Sequence, residues 1–228
     1  MAEVNTIGRT YHRNLVRLYG FCFEAETKAL VYEYMENGSL DKLLFDKKHE
    51  IGWDKLHEIA VGAARGLEFR TRKVVEPRHH KNHHVESWRD PRLCCPGDLD
   101  ACDVYSFGIM LFEVVGRRRE DWFPKQVWES FEKGKLEELW DSCEIEEKYR
   151  GKAKTMVTVA LWCVQYLPEA RPSIRNVVKI LEGGAEADTP PNPFQHLMSS
   201  AIAHSVTAGS GSISTIDYDE YDTTIMSK

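Results

Sequence analysis

The run from Val104 to Val115, VYSFGIMLFEVV, is apolar on nearly every side for twelve positions. A helix with no water-facing side must lie inside something. Gly116 follows it and predicts a C-terminal cap. A second buried helix is expected in KTMVTVALWCVQYL, stopped by Pro168. Two amphipathic patterns flank these. WDKLHEIAVGAARGLEF places Trp53, Leu56, Ile59, Ala60, Ala63, Ala64 and Leu67 at helical spacing. SIRNVVKILEGG places Ile174, Val177, Val178 and Leu181 at i, i+3, i+4 and i+7, with Ser173 as cap and Gly183 as stop. QVWESFEKGKLEELWD is amphipathic with a break at Gly134.

Strand character is confined to the start of the chain. NLVRLYGFCFE and KALVYEYM, rich in Val, Leu, Tyr and Phe, flank AET and predict an antiparallel hairpin. ENGSL reads as a turn, with Ser39 capping a short helix, LDKLLF. Residues 2–10 suit the end of a helix. From Arg70 to Cys102 no period of either kind is sustained, which marks a functional or poorly ordered stretch. Residues 185–228, rich in Pro, Ser, Thr and Gly, read as a disordered tail.

Charge narrows the function classes. The chain of 228 residues carries a formal charge of -6. From Gly184 onward there are six acids and one base, so the tail holds -5 and the body about -1. No strong field covers the body, which argues against nucleic acid or an anionic membrane as main partner. No apolar run is long enough to span a bilayer, and the start lacks a signal-peptide pattern. The six cysteines are scattered. Cys22 and Cys163 lie in apolar runs and read as small buried hydrophobes. A reduced, cytoplasmic setting is the simpler expectation.

Five segments, HRNLVRLYGFC, LVYEYMENGSLDKLL, WDKLHEIAVGAARGL, CDVYSFGIMLFEVVGRR and ALWCVQYLPEARPSIRNVVKILEG, stand in order along the chain. Together they resemble a protein kinase domain of the plant receptor-like serine/threonine type, particularly the rust-resistance receptor-like kinases. The resemblance covers residues 1–69 and 102–183. It implies an α+β fold: a partial N-lobe over 1–35, the start of a C-lobe over 36–69, an irregular segment over 70–101 in place of the catalytic and activation loops, a helical C-lobe core over 102–184, and the tail. The remnant N-lobe would be one helix plus a hairpin.

By the same resemblance, Glu3 matches the glutamate of the mobile N-lobe helix. Tyr32 matches the residue gating the adenine pocket, and Glu33, Tyr34 and Met35 match the hinge, whose backbone carbonyl and N–H bond adenine. Asp103 matches the aspartate that holds the catalytic loop from behind; its plainer reading is a helix N-cap. Arg171 matches the arginine paired to a glutamate at the end of the activation segment.

The family's chemistry uses ATP and magnesium. It needs a Gly-rich loop, a lysine on a strand, an H-R-D aspartate, an asparagine five residues later and a D-F-G aspartate. The first two would precede Met1 and are expected to be absent. No H-R-D or D-F-G occurs in the sequence. Arg89 and Asp90 are followed five positions on by Cys95, and a thiol does not replace an amide oxygen on a hard cation. No cofactor is therefore expected. An orphaned Arg171 would need Glu86, Asp90 or water.

Two further patterns carry weaker expectations. His79/His83 and His80/His84, with Cys94, Cys95 and Cys102, suggest zinc, but a solvated loop is the default. Arg70, Arg72 and Lys73 read as a solvated helix end. STIDYDEYDTT, from Ser214 to Thr224, suggests phosphorylation against the default of an acidic solvated tail. The expected function is a catalytically inactive binding module for a partner kinase or signalling protein. The alternative is a fragment or altered form of an active kinase. Full-length relatives would be membrane-anchored.

Overall fold

A computed structural model describes residues 11–24, 27–45, 51–74, 99–117 and 123–195. Residues 1–194 form one compact unit and a second begins at Gln195. All elements named below belong to the first. Expectations for residues 2–10 (Glu3 among them), 79–95 and 214–224 lie outside the described residues.

The hairpin forms in the two runs rich in Val, Leu, Tyr and Phe that predict it. β1 (Leu18–Phe23) and β2 (Lys28–Tyr32) pair antiparallel, with a bulge between Leu18 and Gly20. Glu24 and Thr27 exchange both backbone hydrogen bonds at the turn. After it come α1 (Leu40–Phe45), α2 (Trp53–Val74), α3 (Leu99–Gly116), α4 (Phe123–Glu132), α5 (Leu136–Ser142), α6 (Glu147–Cys163), a short 3-10 turn (Pro168–Ala170) and α7 (Ile174–Leu181). The fold is α+β and mostly helical.

The all-apolar helix is indeed the centre. Val104, Phe107, Leu111, Phe112, Val114 and Val115 of α3 are buried. α6, buried along most of its length, lies against it. The two helices approach so closely that a Cβ on Gly108 would stand 2.7 Å from Cys163 Cβ and 2.9 Å from Val164 Cγ1. Glycine is needed there for space rather than for backbone freedom. Gly116 differs from expectation in the same way. It is the last residue of α3, and a Cβ on it would stand 2.5 Å from the Phe123 ring. The left-handed residue that closes the helix is Arg117, at φ 49°.

α7 follows its pattern fully. Ile174, Val177, Val178 and Leu181 are buried. The Ser173 hydroxyl accepts from Asn176 N, and Gly183 turns the chain at φ 76°. Gly134, at φ 65°, separates α4 from α5 as the break predicts.

Two expectations fail at element ends. The helical pattern does not stop at Phe69: α2 runs on to Val74. α3 begins at Leu99, so Asp103 lies in its second turn and is no N-cap. Charged residues continue α2 because their partners lie across on α3, a long-range reason that periodicity does not carry. The disordered reading also fails for residues 185–194. Trp162 Nε1 donates to the Asp188 carbonyl and Gln165 Nε2 to the Pro191 carbonyl, both at 2.9 Å, and Phe194 packs on the core. The Pro-rich composition fits because an extended strap takes its bonds from side chains of the body.

Cys163 is fully buried, while Cys22 and Cys143 are free and half-buried. Cys102 is disulfide-bonded. No helix among the described residues is long and apolar enough to cross a membrane.

Candidate functional site

The hairpin is joined to the body by His12 and Asn14. The His12 ring stacks on Phe69 at 4.6 Å and its Nδ1 accepts from Asn14 N at 3.2 Å. Asn14 then sits on a groove in α2 opened by two glycines four apart. A Cβ on Gly62 would stand 2.8 Å from Asn14 Nδ2, and one on Gly66 2.9 Å from the Asn14 carbonyl oxygen. The spacing of Gly62 and Gly66 was visible in the sequence, but nothing there named Asn14 as its occupant.

The segment from Tyr32 to Gly38 leaves the hairpin at this junction. Glu33 N donates to the Arg17 carbonyl at 2.8 Å, extending the ladder by one pair. The Glu33 carboxylate accepts from Arg17 N at 3.4 Å. The Met35 carbonyl accepts from Gly38 N at 3.0 Å, closing the turn. Tyr32, Tyr34 and Met35 are exposed. Glu33 and Met35 line an open groove of about 1360 Å³ shared with Asn14, Lys55, His57 and Arg65. Tyr32, at the end of β2, is not among the residues that line it.

Asp103 and Arg171 stand by the C-terminal end of α2, around the start of α3. Arg70 Nη2 lies 2.6 Å from Asp103 Oδ2. Burial raises the Asp103 carboxyl above its ordinary range; Arg70 pulls it down and Asp100 adds to the rise. Thr71 Oγ1 donates to Asp100 Oδ1 at 3.3 Å. Arg72 pairs with Glu68 at 2.5 Å. The basic end of α2 is therefore tied to carboxylates at Arg70 and Arg72, not simply solvated.

Arg171 is buried, with 8% of its surface exposed. Its Nε donates to the Gln165 carbonyl at 2.8 Å, Nη1 to the Ala101 carbonyl at 2.9 Å and Nη2 to the Tyr166 carbonyl at 3.3 Å. The guanidinium also lies 4.9 Å from the centre of the Tyr105 ring. These three carbonyls accept from the guanidinium fork, whose donors are spaced to meet several acceptors at once; the partners expected at Glu86 and Asp90 lie outside the described residues. A cavity of about 560 Å³ beside it is lined by Arg72, Asp100, Arg171, Ser173 and Arg175, among others.

The chemistry available here is structural. Asp103 and Arg171 clamp the start of the central helix to α2 and to the loop before α7. Among the described residues no cluster of three or more His, Cys, Asp or Glu is placed to hold a metal ion. The His79–His84 and Cys94–Cys95 candidates lie outside those residues, and Cys102 is committed to its disulfide.

A family model of protein tyrosine and serine/threonine kinases matches residues 1–79. The chain is 30% identical to the PR5-like receptor kinase of Arabidopsis thaliana, over 84% of this chain and 37% of that one. It is 31% identical to a leaf rust 10 disease-resistance locus receptor-like protein kinase, form 2.4, of the same plant, over 89% and 41%. It is also 31% identical to the rust resistance kinase Lr10 of Triticum aestivum, over 84% and 39%. The chain therefore spans about two fifths of the length of these relatives. In the first match, 84% of 228 residues is about 192, yet the alignment runs over 246 positions, so roughly 54 positions have no counterpart in this chain.

Proposed function

The chain is a protein kinase-like domain related to plant receptor-like serine/threonine kinases, and from that premise we propose that it works without phosphoryl transfer. It acts as a binding module, docking on a partner kinase or signalling protein or competing for its surfaces. One observation carries this reading. The 24 residues from 75 to 98, which join α2 to α3, contain neither H-R-D nor D-F-G. Phosphoryl transfer asks those motifs to orient the acceptor hydroxyl and to hold magnesium against a strongly negative triphosphate.

The engaged scaffold supports it. Asp103 is paired with Arg70, and Arg171 is spent on backbone carbonyls. In sequence, the fifth residue after Asp90 is Cys95, and a thiol does not replace an amide oxygen on a hard cation. The hinge positions Glu33 and Met35 are a vestige: without a phosphate grip, hydrogen bonds to adenine alone do not hold nucleotide measurably.

The second reading is a piece or altered form of an active kinase. The roughly 54 unmatched positions favour it to the extent that they were lost from this sequence alone. Purified chain incubated with labelled ATP and magnesium is expected to transfer no phosphate to itself or to a generic acceptor. Incorporation abolished by chelating magnesium overturns the inactive reading. Sequencing the transcript between the codons for Phe69 and Asp103 separates the two: H-R-D followed by D-F-G establishes the second.

A further inference from the structure

We infer that the end of α6 carries a recognition site for extended proline-rich peptide. Residues 188–194 of this chain fill it in cis. A partner's segment with two prolines three residues apart, and an aromatic residue after the second, exchanges for them. The inference is independent of whether the domain is catalytic.

The shape of the occupant follows from its sequence. Thr189-Pro190-Pro191-Asn192-Pro193 holds three prolines. A proline fixes its own φ, and the residue before it is pushed out of the helical region. Each of the five residues falls under one constraint or the other. Together they favour the left-handed polyproline helix, with three residues to the turn. The burial has that period: Pro190 and Pro193 are buried, while Asp188, Thr189 and Pro191 are exposed. The carbonyls that accept from the body, those of Asp188 and Pro191, are three apart as well.

The receiving surface is built in advance. Trp162 Nε1 donates to the first carbonyl and Gln165 Nε2 to the second, both at 2.9 Å. Gln165 is buried, with 5% of its surface exposed. Its Nε2 also donates to the Leu161 carbonyl at 3.0 Å, and its own carbonyl accepts from Arg171 Nε at 2.8 Å. The amide is therefore aimed by α6 and by the arginine clamp, whatever lies on it. An indole N–H on one carbonyl, with a second donor one polyproline turn along, is the chemistry that reads such preformed segments. Phe194 supplies the anchor: it packs on the core, and its N–H donates to Asn192 Oδ1 at 2.8 Å.

The strap is placed to exchange. Two side-chain donors and the packing of Pro190, Pro193 and Phe194 hold it. Ala185, Glu186, Asp188, Thr189 and Pro191 are exposed. A segment with so few buried contacts opens locally at small cost. A cavity of about 400 Å³ continues from it, lined by Trp162, Val177, Ile180, Ala187 and Asp188, among others, and gives an incoming segment a foothold.

The test is fluorescence polarisation of a dye-labelled peptide with the sequence Glu186–Phe194, titrated with the full 228-residue chain. The wild type is expected to bind it weakly, because affinity is reduced by the fraction of time that the strap is open. Pro190→Ala weakens the strap and leaves the receiving surface intact, so it is expected to bind the peptide about tenfold more tightly or better. Adding Trp162→Phe keeps a ring but deletes the donor, and is expected to reverse about fivefold of that gain. A peptide carrying Pro190→Ala and Pro193→Ala is expected to bind more than about tenfold more weakly than the first. Should Pro190→Ala lower the melting temperature of the helical body, Pro191→Ala decides instead. Its ring is exposed, and the freedom it returns to the open strap is expected to tighten binding about threefold. Equal affinity in the wild type and the loosened variant, no binding to either, or no effect of Trp162→Phe overturns the proposal.

Discussion

The central helix and the hairpin are both apolar in sequence, yet they meet opposite fates. Phe112 in α3 is 1% exposed and Leu30 in β2 is 45% exposed. The cause is the backbone. A helix satisfies its own N–H and C=O groups, so α3 can be enclosed by α2, α4 and α6 without leaving a polar group unpaired. A strand relies on a neighbour to pair its backbone, and among the described residues β2 pairs with β1 alone. Apolar composition thus leads to burial only where the backbone is self-sufficient or fully paired.

Substitution measures that contrast most directly. Phe112→Ala is expected to cost about 3–5 kcal/mol, because it opens a cavity at the centre of a close-packed body. Leu30→Ala, as a change on an exposed strand, should cost under about 1 kcal/mol in a dilute sample. Urea unfolding followed by tryptophan fluorescence reads both. Equal costs break the contrast. Gly108→Ala sharpens it from the opposite direction: the added methyl meets Cys163, Val164 and the Ala160 carbonyl, and overpacking of that kind costs about 1–3 kcal/mol.

Arg171→Gln is expected to cost about 3 kcal/mol, since it strips donors from buried carbonyls of Gln165 and Tyr166 and from Ala101 at the start of α3. The unfolding midpoint checks this. A neutral outcome shows that the clamp is incidental.

Cysteine chemistry separates the regions without mutation. Burial pushes the Cys163 thiol well above its ordinary value, so it should resist iodoacetamide in the folded chain. Cys22 on the hairpin and Cys143 after α5 are half-buried and should be alkylated first. Mass spectrometry of partial digests gives the order, and early labelling of Cys163 means that the body opens more readily than its packing implies.

The smallest effect concerns Asp103. Burial, with Asp100, raises its carboxyl in the folded state, against the pull of Arg70. The fold therefore favours the protonated form. The stability this contributes is full below the unfolded value and fades as pH rises through the folded one. Asp103→Asn should flatten that slope, in a window starting at about pH 4, the ordinary aspartate value. The variant also loses the Arg70 pair, which is half exposed on the arginine side and worth under about 1 kcal/mol. Unfolding midpoints across that range test it, and an unchanged slope removes Asp103 as the source.

Much of this was legible in the chain. α7 was readable in full, because Ser173, four apolar positions and Gly183 all act within one helix. The burial of α3 was readable because no polar face existed to turn outward. The end of α2 was not, because Arg70 is drawn on by Asp103, a partner more than thirty residues away. The same holds for Arg171, whose carbonyl partners carry no side-chain signature in a sequence. The strap at 185–194 was misjudged because Pro-rich composition marks disorder only when nothing accepts or donates to it; here Trp162 and Gln165 do. Of the candidate site, residue types were legible and their present partners were not.

The central claim is that a kinase-like helical scaffold persists here without the groups that grip a triphosphate. Thermal unfolding of the full chain, with and without saturating ATP and magnesium, addresses it directly, since a ligand that binds the native state must stabilise it. The account predicts the same melting temperature in both samples. A rise that saturates with nucleotide contradicts it.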